Sequence, residues 1–354
     1  MKTWLLIASI WITLHDGTNE LVTELGPRGP VTVLSHAMTM AFGESPTQIA
    51  VVSYERAAAQ SQLRIIDKQT RQVLATWPIP ATPVTLLSGA APDIVLLGEA
   101  AYLLTHASIL EPGQAIVRNS RGGMFNVVRI ALRTGETRML PLGNVFANPR
   151  LCDFGGIPVV TDWAGYSVWR LAPNGKNFIA VIGKDELSDI LPAESPERVG
   201  TSLPYNARAD FVAVPGAGVF RLSKFGLLHR VADPDLKALP APHASMPVGP
   251  AQDIERLLSV TAERKPAIAL VRRQKDKRTI IFIDATTLTE IWERELPEGI
   301  SSYTLVALGP DALVGIDTGK HALVRVSRDR AAVLAALPET RQYGNAHILS
   351  AGNP

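Results

Sequence analysis

Hydrophobic and polar positions follow one recurring pattern along the chain. A run rich in β-branched residues is followed by a polar turn of three to five residues, then by a second β-rich run that ends near Pro or Gly. The pattern reads IWITLHDGTNELVTELGP from Ile10, LRIIDKQTRQVLATWPIP from Leu63 and VVRIALRTGETRMLPLG from Val127. It returns as SVWRLAPNGKNFIAVIG from Ser167, VFRLSKFGLLHRVADP from Val219, TIIFIDATTLTEIWERELP from Thr279 and LVRVSRDRAAVLAALP from Leu323. Asp-Gly, Thr-Gly-Glu and Asn-Gly in the turns are hairpin chemistry, because they supply the backbone dihedrals that a tight antiparallel reversal needs. Seven copies at 40–64-residue spacing mark a repeat architecture.

Each later copy is preceded by further short β runs, at 48–54, 101–105, 157–161, 211–214, 268–271 and 312–316. The repeating unit is therefore a four-stranded antiparallel sheet, with the hairpin above forming its third and fourth strands. The chain resembles seven-bladed β-propellers of the YVTN/WD40-like kind over essentially its whole length, though without the Gly-His and Trp-Asp signatures of WD40 repeats. That resemblance is one of architecture. It implies an all-β fold with residues 1–354 in a single propeller domain. The first copy lacks an inner strand, with Lys2–Ser9 expected as its second strand. The stretch 343–352 follows the last copy, so a C-terminal strand at 346–351 is expected to join the N-terminal blade and close the ring.

Apolar residues make up 46% and charged residues 19%, enough for a large core and too ordered a composition for a disordered chain. Lys and Arg number 35 against 33 Asp and Glu, a balance that argues against a nucleic-acid or membrane-surface partner. The single cysteine, Cys152, cannot form an internal disulfide and fits a reducing compartment. The apolar run Trp4 to Leu14 is far shorter than the ~20 residues of a membrane span. It is expected to be a structural strand, which points to a cytoplasmic protein; as a signal segment it would instead direct the chain to a periplasmic or secreted location.

Blade geometry places the b–c and d–a connections on one face and the a–b and c–d turns on the other. The long segments 105–125 (b–c), 184–204 (d–a) and 233–252 (d–a) are all expected on the first face, where long loops generally carry function. Catalytic signatures such as Gly-x-Ser-x-Gly, His-Glu-x-x-His and a P-loop are absent. Neither a catalytic residue, a metal nor a cofactor is assigned. Near the inner strands and their entry loops stand Arg150, Tyr205, Asn206, Arg208, Tyr303 and Tyr343, with His36 and His347. Tyr and Arg at a channel mouth are the types that anchor peptides, by contact area at low entropy cost and by bidentate pairing to carboxylates. The turn from Arg272 and Arg273 to Arg278 carries five cations between strands b and c of the sixth blade and is suited to attract an acidic partner segment. These features lead to the expectation of a non-catalytic propeller that binds a peptide or protein on its long-loop face. Two alternatives share the same residues. One is an accessory subunit that presents a peptide to a separate modifying enzyme. The other is a propeller enzyme (a metal-assisted hydrolase, lyase or dehydrogenase) built on His36, His347, Asp153 and Asp210.

Overall fold

The computed structural model describes residues 10–26, 29–36, 38–55, 60–79, 94–106, 125–142, 149–162, 167–182, 211–223, 226–240, 244–337 and 348–351. These residues form seven four-stranded antiparallel sheets. Blade 1 contains β1 (Ile10–His15), β2 (Glu20–Gly26) and β3 (Gly29–His36). Blade 2 is β4 (Met38–Glu44), β5 (Gln48–Glu55), β6 (Gln60–Asp67) and β7 (Val73–Ile79), and blade 3 is β8 (Ile94–Leu97), β9 (Ala100–His106), β10 (Phe125–Ala131) and β11 (Thr137–Pro141). Blade 4 runs β12 (Pro149–Asp153), β13 (Pro158–Asp162), β14 (Ser167–Leu171) and β15 (Phe178–Ile182). Blade 5 runs β16 (Phe211–Val214), β17 (Gly218–Leu222), β18 (Leu227–Ala232) and β19 (Ser245–Pro247). Blade 6 is β20 (Ile254–Ala262), β21 (Lys265–Gln274), β22 (Lys277–Asp284) and β23 (Thr289–Glu295). Blade 7 is β24 (Val306–Ala307), β25 (Ala312–Asp317), β26 (Ala322–Ser327) and β27 (Ala331–Ala336). The last strand, β28 (Ile348–Ala351), pairs with β1 and becomes the inner strand of blade 1, so the ring closes as the repeat implies.

Every blade packs between two others, and the second strands are accordingly apolar on both faces rather than alternating. All six residues of β25 are buried, as are Ile49, Ala50, Val51 and Val52 of β5. Among the described residues the core divides into seven hydrophobic clusters, one in each space between adjacent blades. Between blades 5 and 6 the cluster contains Phe220, Leu228, Ile268 and Ile281. Ile12, Leu14, Ile316, Leu323 and Ile348 fill the space between blades 7 and 1. In the space shared by blades 6 and 7, Phe282 stacks on Trp292 with ring centroids 4.0 Å apart.

Aspartates that close a strand act as turn anchors. Asp67 Oδ1 accepts from the amides of Gln69 and Thr70, Asp284 Oδ1 from Thr286 and Thr287, and Asp317 Oδ1 from Gly319 and Lys320. Burial alone would raise the Asp284 pKa. The Thr287 and Thr286 amides and the nearby Lys265 ammonium more than offset this and hold it below its ordinary value.

Two copies of the sequence repeat are displaced by one strand from the blades they build. Ile10–His15 is the second strand of blade 1, where the repeat implied a third; Lys2–Ser9, expected as the second, lies outside the described residues. In blade 5, Phe211–Val214 is the inner strand, so the hairpin from Val219 supplies strands two and three. Pro215 at the first turn of blade 5 packs near Gly155 and Gly216 near Pro266, which fixes that turn on the a–b face. Residues 233–240 consequently belong to the c–d connection on the short-turn face, between β18 and β19. The expectation that 233–252 forms a d–a loop beside the other two long segments is therefore corrected. The cause is the shortness of β19: a three-residue strand that ends in Pro247 carries no readable periodicity. Among the described residues no helix is long and apolar enough to cross a membrane.

Candidate functional site

On the face of the b–c and d–a connections, blades 6 and 7 enclose a cleft of about 490 Å³. It is lined by Gln252, Asp253, Ile254, Glu255, Arg273, Lys275 and Tyr303. Three elements build it. A 3-10 turn at Ala251–Asp253 follows Pro250, closes through the Asp253 amide on the Pro250 carbonyl at 3.0 Å, and delivers the chain into β20. Next to it the β21–β22 hairpin turns over Lys275 and Asp276, with Lys275 at φ 56°. A second 3-10 turn, Ser302–Thr304, carries Tyr303 into the entrance.

The Tyr303 backbone is held from several sides. Ser301 caps the turn, its hydroxyl accepting from the Tyr303 amide. The Arg256 guanidinium, rising from β20, donates to the Ser302 carbonyl at 2.9 Å and to the Tyr303 carbonyl at 2.6 Å. Thr304 is fixed by its hydroxyl, which donates to the Ser301 carbonyl and accepts from the Ile316 amide. Tyr303 is left 47% exposed on a backbone held by these bonds.

Charges around the cleft are largely paired. Glu255 accepts from Arg278 at 2.8 Å and stands 3.9 Å from Arg273. Arg272 lies 3.9 Å from Glu293, and Lys277 lies 3.0 Å from Glu295. The turn that looks strongly basic in sequence is thus partly neutralised by carboxylates of its own blade. At the tip, Lys275 makes no ion pair among the described residues and is one of the residues lining the cleft.

Of the residues expected at the site, Arg273 and Tyr303 come together in this cleft, and Arg272 reaches the Val248 carbonyl beside it. Arg150 is half-buried in the inner strand of blade 4, away from them. Tyr205, Asn206, Arg208, Tyr343 and His347, with segments 107–124 and 183–210, lie outside the described residues.

His36 requires a correction. It does not line a channel but ends the outermost strand of blade 1, fully buried against blade 2. Its Nε2 is 2.7 Å from the Thr39 hydroxyl and 3.9 Å from Glu20, whose carboxylate already accepts the Thr39 amide at 2.6 Å. Burial, aided by the Arg64 charge, pushes the imidazole pKa down to about 4. Asp153 sits on the opposite face, where its carboxylate accepts the Gly156 amide in an a–b turn. His36 and Asp153 therefore do not converge. Sequence reasoning missed Asp253, Glu255 and Arg256, because β20 buries an irregular set of positions and does not read as an inner strand. Pro250 ahead of it was the available signal, since it marks where a d–a crossing ends.

No family model matches the chain, and no curated protein is similar to it in sequence. Its fold is similar to several solved structures. One is a candidate 6-phosphogluconolactonase from Bacteroides uniformis, with TM-score 0.53, 10% identity and coverage of 97% of each chain. Another is a candidate 6-phosphogluconolactonase from Bacteroides fragilis, at 0.51 and 11%, covering 96% of each chain. A third is a puromycin-hydrolyzing peptidase from Mycobacterium tuberculosis, at 0.50 and 15%, covering 92% of this chain and 51% of that one. At such identities the likeness is one of fold, and together with the seven closed blades it defines the chain as a seven-bladed β-propeller.

Proposed function

We propose that the chain is a non-catalytic propeller that binds a peptide or protein on the face of its b–c and d–a connections. The observation that carries this reading is Tyr303. Its backbone is held by Arg256 and Ser301, and the residue, 47% exposed, lines a cleft walled by Asp253, Arg273 and Lys275. A pre-positioned aromatic loses little freedom on contact, and that is the property of an energetic anchor in an interface. Charged groups of both signs around it suit polar main chain and side chains better than a small apolar ligand. The lactone and peptidase chemistry named for the proteins of similar fold is not carried over, because fold alone does not transfer a site.

Selection of peptides from a random displayed library on the immobilised full chain tests the proposal. Enriched peptides should lose affinity at least about tenfold on Tyr303→Ala, with an unchanged melting temperature. Failure to enrich any sequence, or affinities indifferent to Tyr303→Ala, would overturn it.

A further inference from the structure

The charges that line the cleft between blades 6 and 7 fall into two sets. Glu255 is the extra residue of a bulge in β20, and its carboxylate is matched by arginines of the hairpin, Arg278 at 2.8 Å and Arg273 at 3.9 Å. Asp253 and Lys275 behave differently. Both line the cleft, and neither side chain has an ion pair or a hydrogen bond among the described residues. Nor do they pair with each other within 4.0 Å. Two opposite charges thus share one concavity without compensating one another.

Separate elements set their two backbones. The Asp253 amide closes its 3-10 turn on the Pro250 carbonyl, and the next residue, Ile254, is buried and registered against Arg272. Lys275 stands in the two-residue turn that joins Gln274 to Lys277, where its carbonyl accepts from the Arg273 guanidinium at 3.1 Å. A ligand charged with one sign meets a like charge in such a cleft. A polyacidic segment faces Asp253 and Glu255, and a polybasic one faces Lys275 and Arg273. Only a ligand that carries both signs gains at each position, which is selection by repulsion as well as by attraction. Gln252, exposed on the same lining, adds an amide that can donate to and accept from a peptide main chain.

We propose that the cleft selects a peptide segment bearing one acidic and one basic side chain, the acid received by Lys275 and the base by Asp253. The proposal rests on the peptide-binding reading above. Peptides selected from a random displayed library on the immobilised full chain should carry both charges. One enriched peptide, resynthesised and titrated at low ionic strength, should lose about two- to fivefold in affinity on Asp253→Asn, the range for an exposed ion pair. Replacing the peptide's basic residue by glutamine should then cost nothing further, and Lys275→Gln should relate in the same way to the peptide's acidic residue. The double variant Asp253→Lys with Lys275→Glu should prefer a peptide with its two charges transposed by at least about tenfold, the reverse of the parent's preference. Peptides that depend on Tyr303 yet ignore both Asp253→Asn and Lys275→Gln overturn this proposal and leave peptide binding standing. Enrichment of one sign of charge alone, or an unreversed preference in the double variant, overturns it as well. Failure to enrich any sequence overturns both readings together.

Discussion

Ile12 and Ile348 face each other across the β1–β28 pair, joining the two ends of the chain in one sheet. Both are buried and share a core with Val314, Ile316 and Leu323 of blade 7, so this contact closes blade 1 and also cements it to its neighbour. Ile12→Ala should cost about 2–5 kcal/mol in urea unfolding, the usual range for a buried aliphatic truncation. Ending the chain before Ile348 should do more, because it strips an inner strand and exposes β1 as an edge. Cooperative melting at the wild-type temperature after that truncation would show that the ring does not depend on this pair.

His36 ties acid stability to the junction of blades 1 and 2. Its folded pKa of about 4 lies below the ordinary 6.5, so between these values the unfolded chain binds the proton and the folded chain resists it. Stability is therefore full above pH 6.5 and is lost as the pH falls towards 4, by about 3 kcal/mol in all for a shift of this size. The nearest carboxylate, Glu20, does little to rescue the cation, being 3.9 Å away and already engaged by the Thr39 amide. Unfolding free energies of His36→Gln and the parent, measured from pH 7 to pH 4, should differ in slope, the variant being flatter. Parallel curves would mean that the imidazole is not the titrating group.

Gly43 is required by close approach rather than by its dihedrals. It lies in the inner strand of blade 2, where a Cβ would sit 2.1 Å from the Ile94 carbonyl oxygen of blade 3. Backbone on both sides leaves nothing flexible to move, so Gly43→Ala should force the two inner strands apart at a cost of about 1–3 kcal/mol or more. Gly17→Ala has open space in the same comparison, but its φ of 98° carries strain of another kind. A Gly43→Ala protein as stable as the parent would show that the inner strands can separate freely.

The sequence revealed most of this architecture wherever two apolar runs flanked a polar turn of hairpin chemistry. Blades 2, 3, 4, 6 and 7 fall on the expected strands, and turn aspartates such as Asp67 and Asp284 are visible in DKQT and DATT. The phase of blades 1 and 5 was not legible, because a c–d hairpin and a b–c hairpin have the same local pattern and differ only in what lies beyond them. The cleft was half legible. Arg273 and Tyr303 are residue types that draw attention, whereas Arg256 acts by donating to carbonyls across a blade boundary, which no linear spacing records. Pairing also offsets much of the apparent charge of the 272–278 turn: its acids, Glu255, Glu293 and Glu295, come from the strands on either side of the hairpin.

Arg256 should therefore matter to binding without touching the bound peptide. Its two hydrogen bonds hold the Ser302 and Tyr303 carbonyls, and bonds to a charged donor contribute about 1.5–3 kcal/mol each when nothing replaces them. Arg256→Ala should loosen the turn and lower the affinity of a peptide selected on the parent nearly as far as Tyr303→Ala does. In the double variant the two losses should not add, since both act through one side chain. Among the cations of the hairpin, Lys275→Ala should slow association and flatten its salt dependence, while Lys277→Ala, already paired with Glu295 at 3.0 Å, should change either little. Affinities and association rates over a salt series for these five variants check the argument. Equal effects at Lys275 and Lys277 would show that the ion pairs of this blade do not screen the turn, and additive losses in the double variant would place Arg256 in direct contact with the peptide.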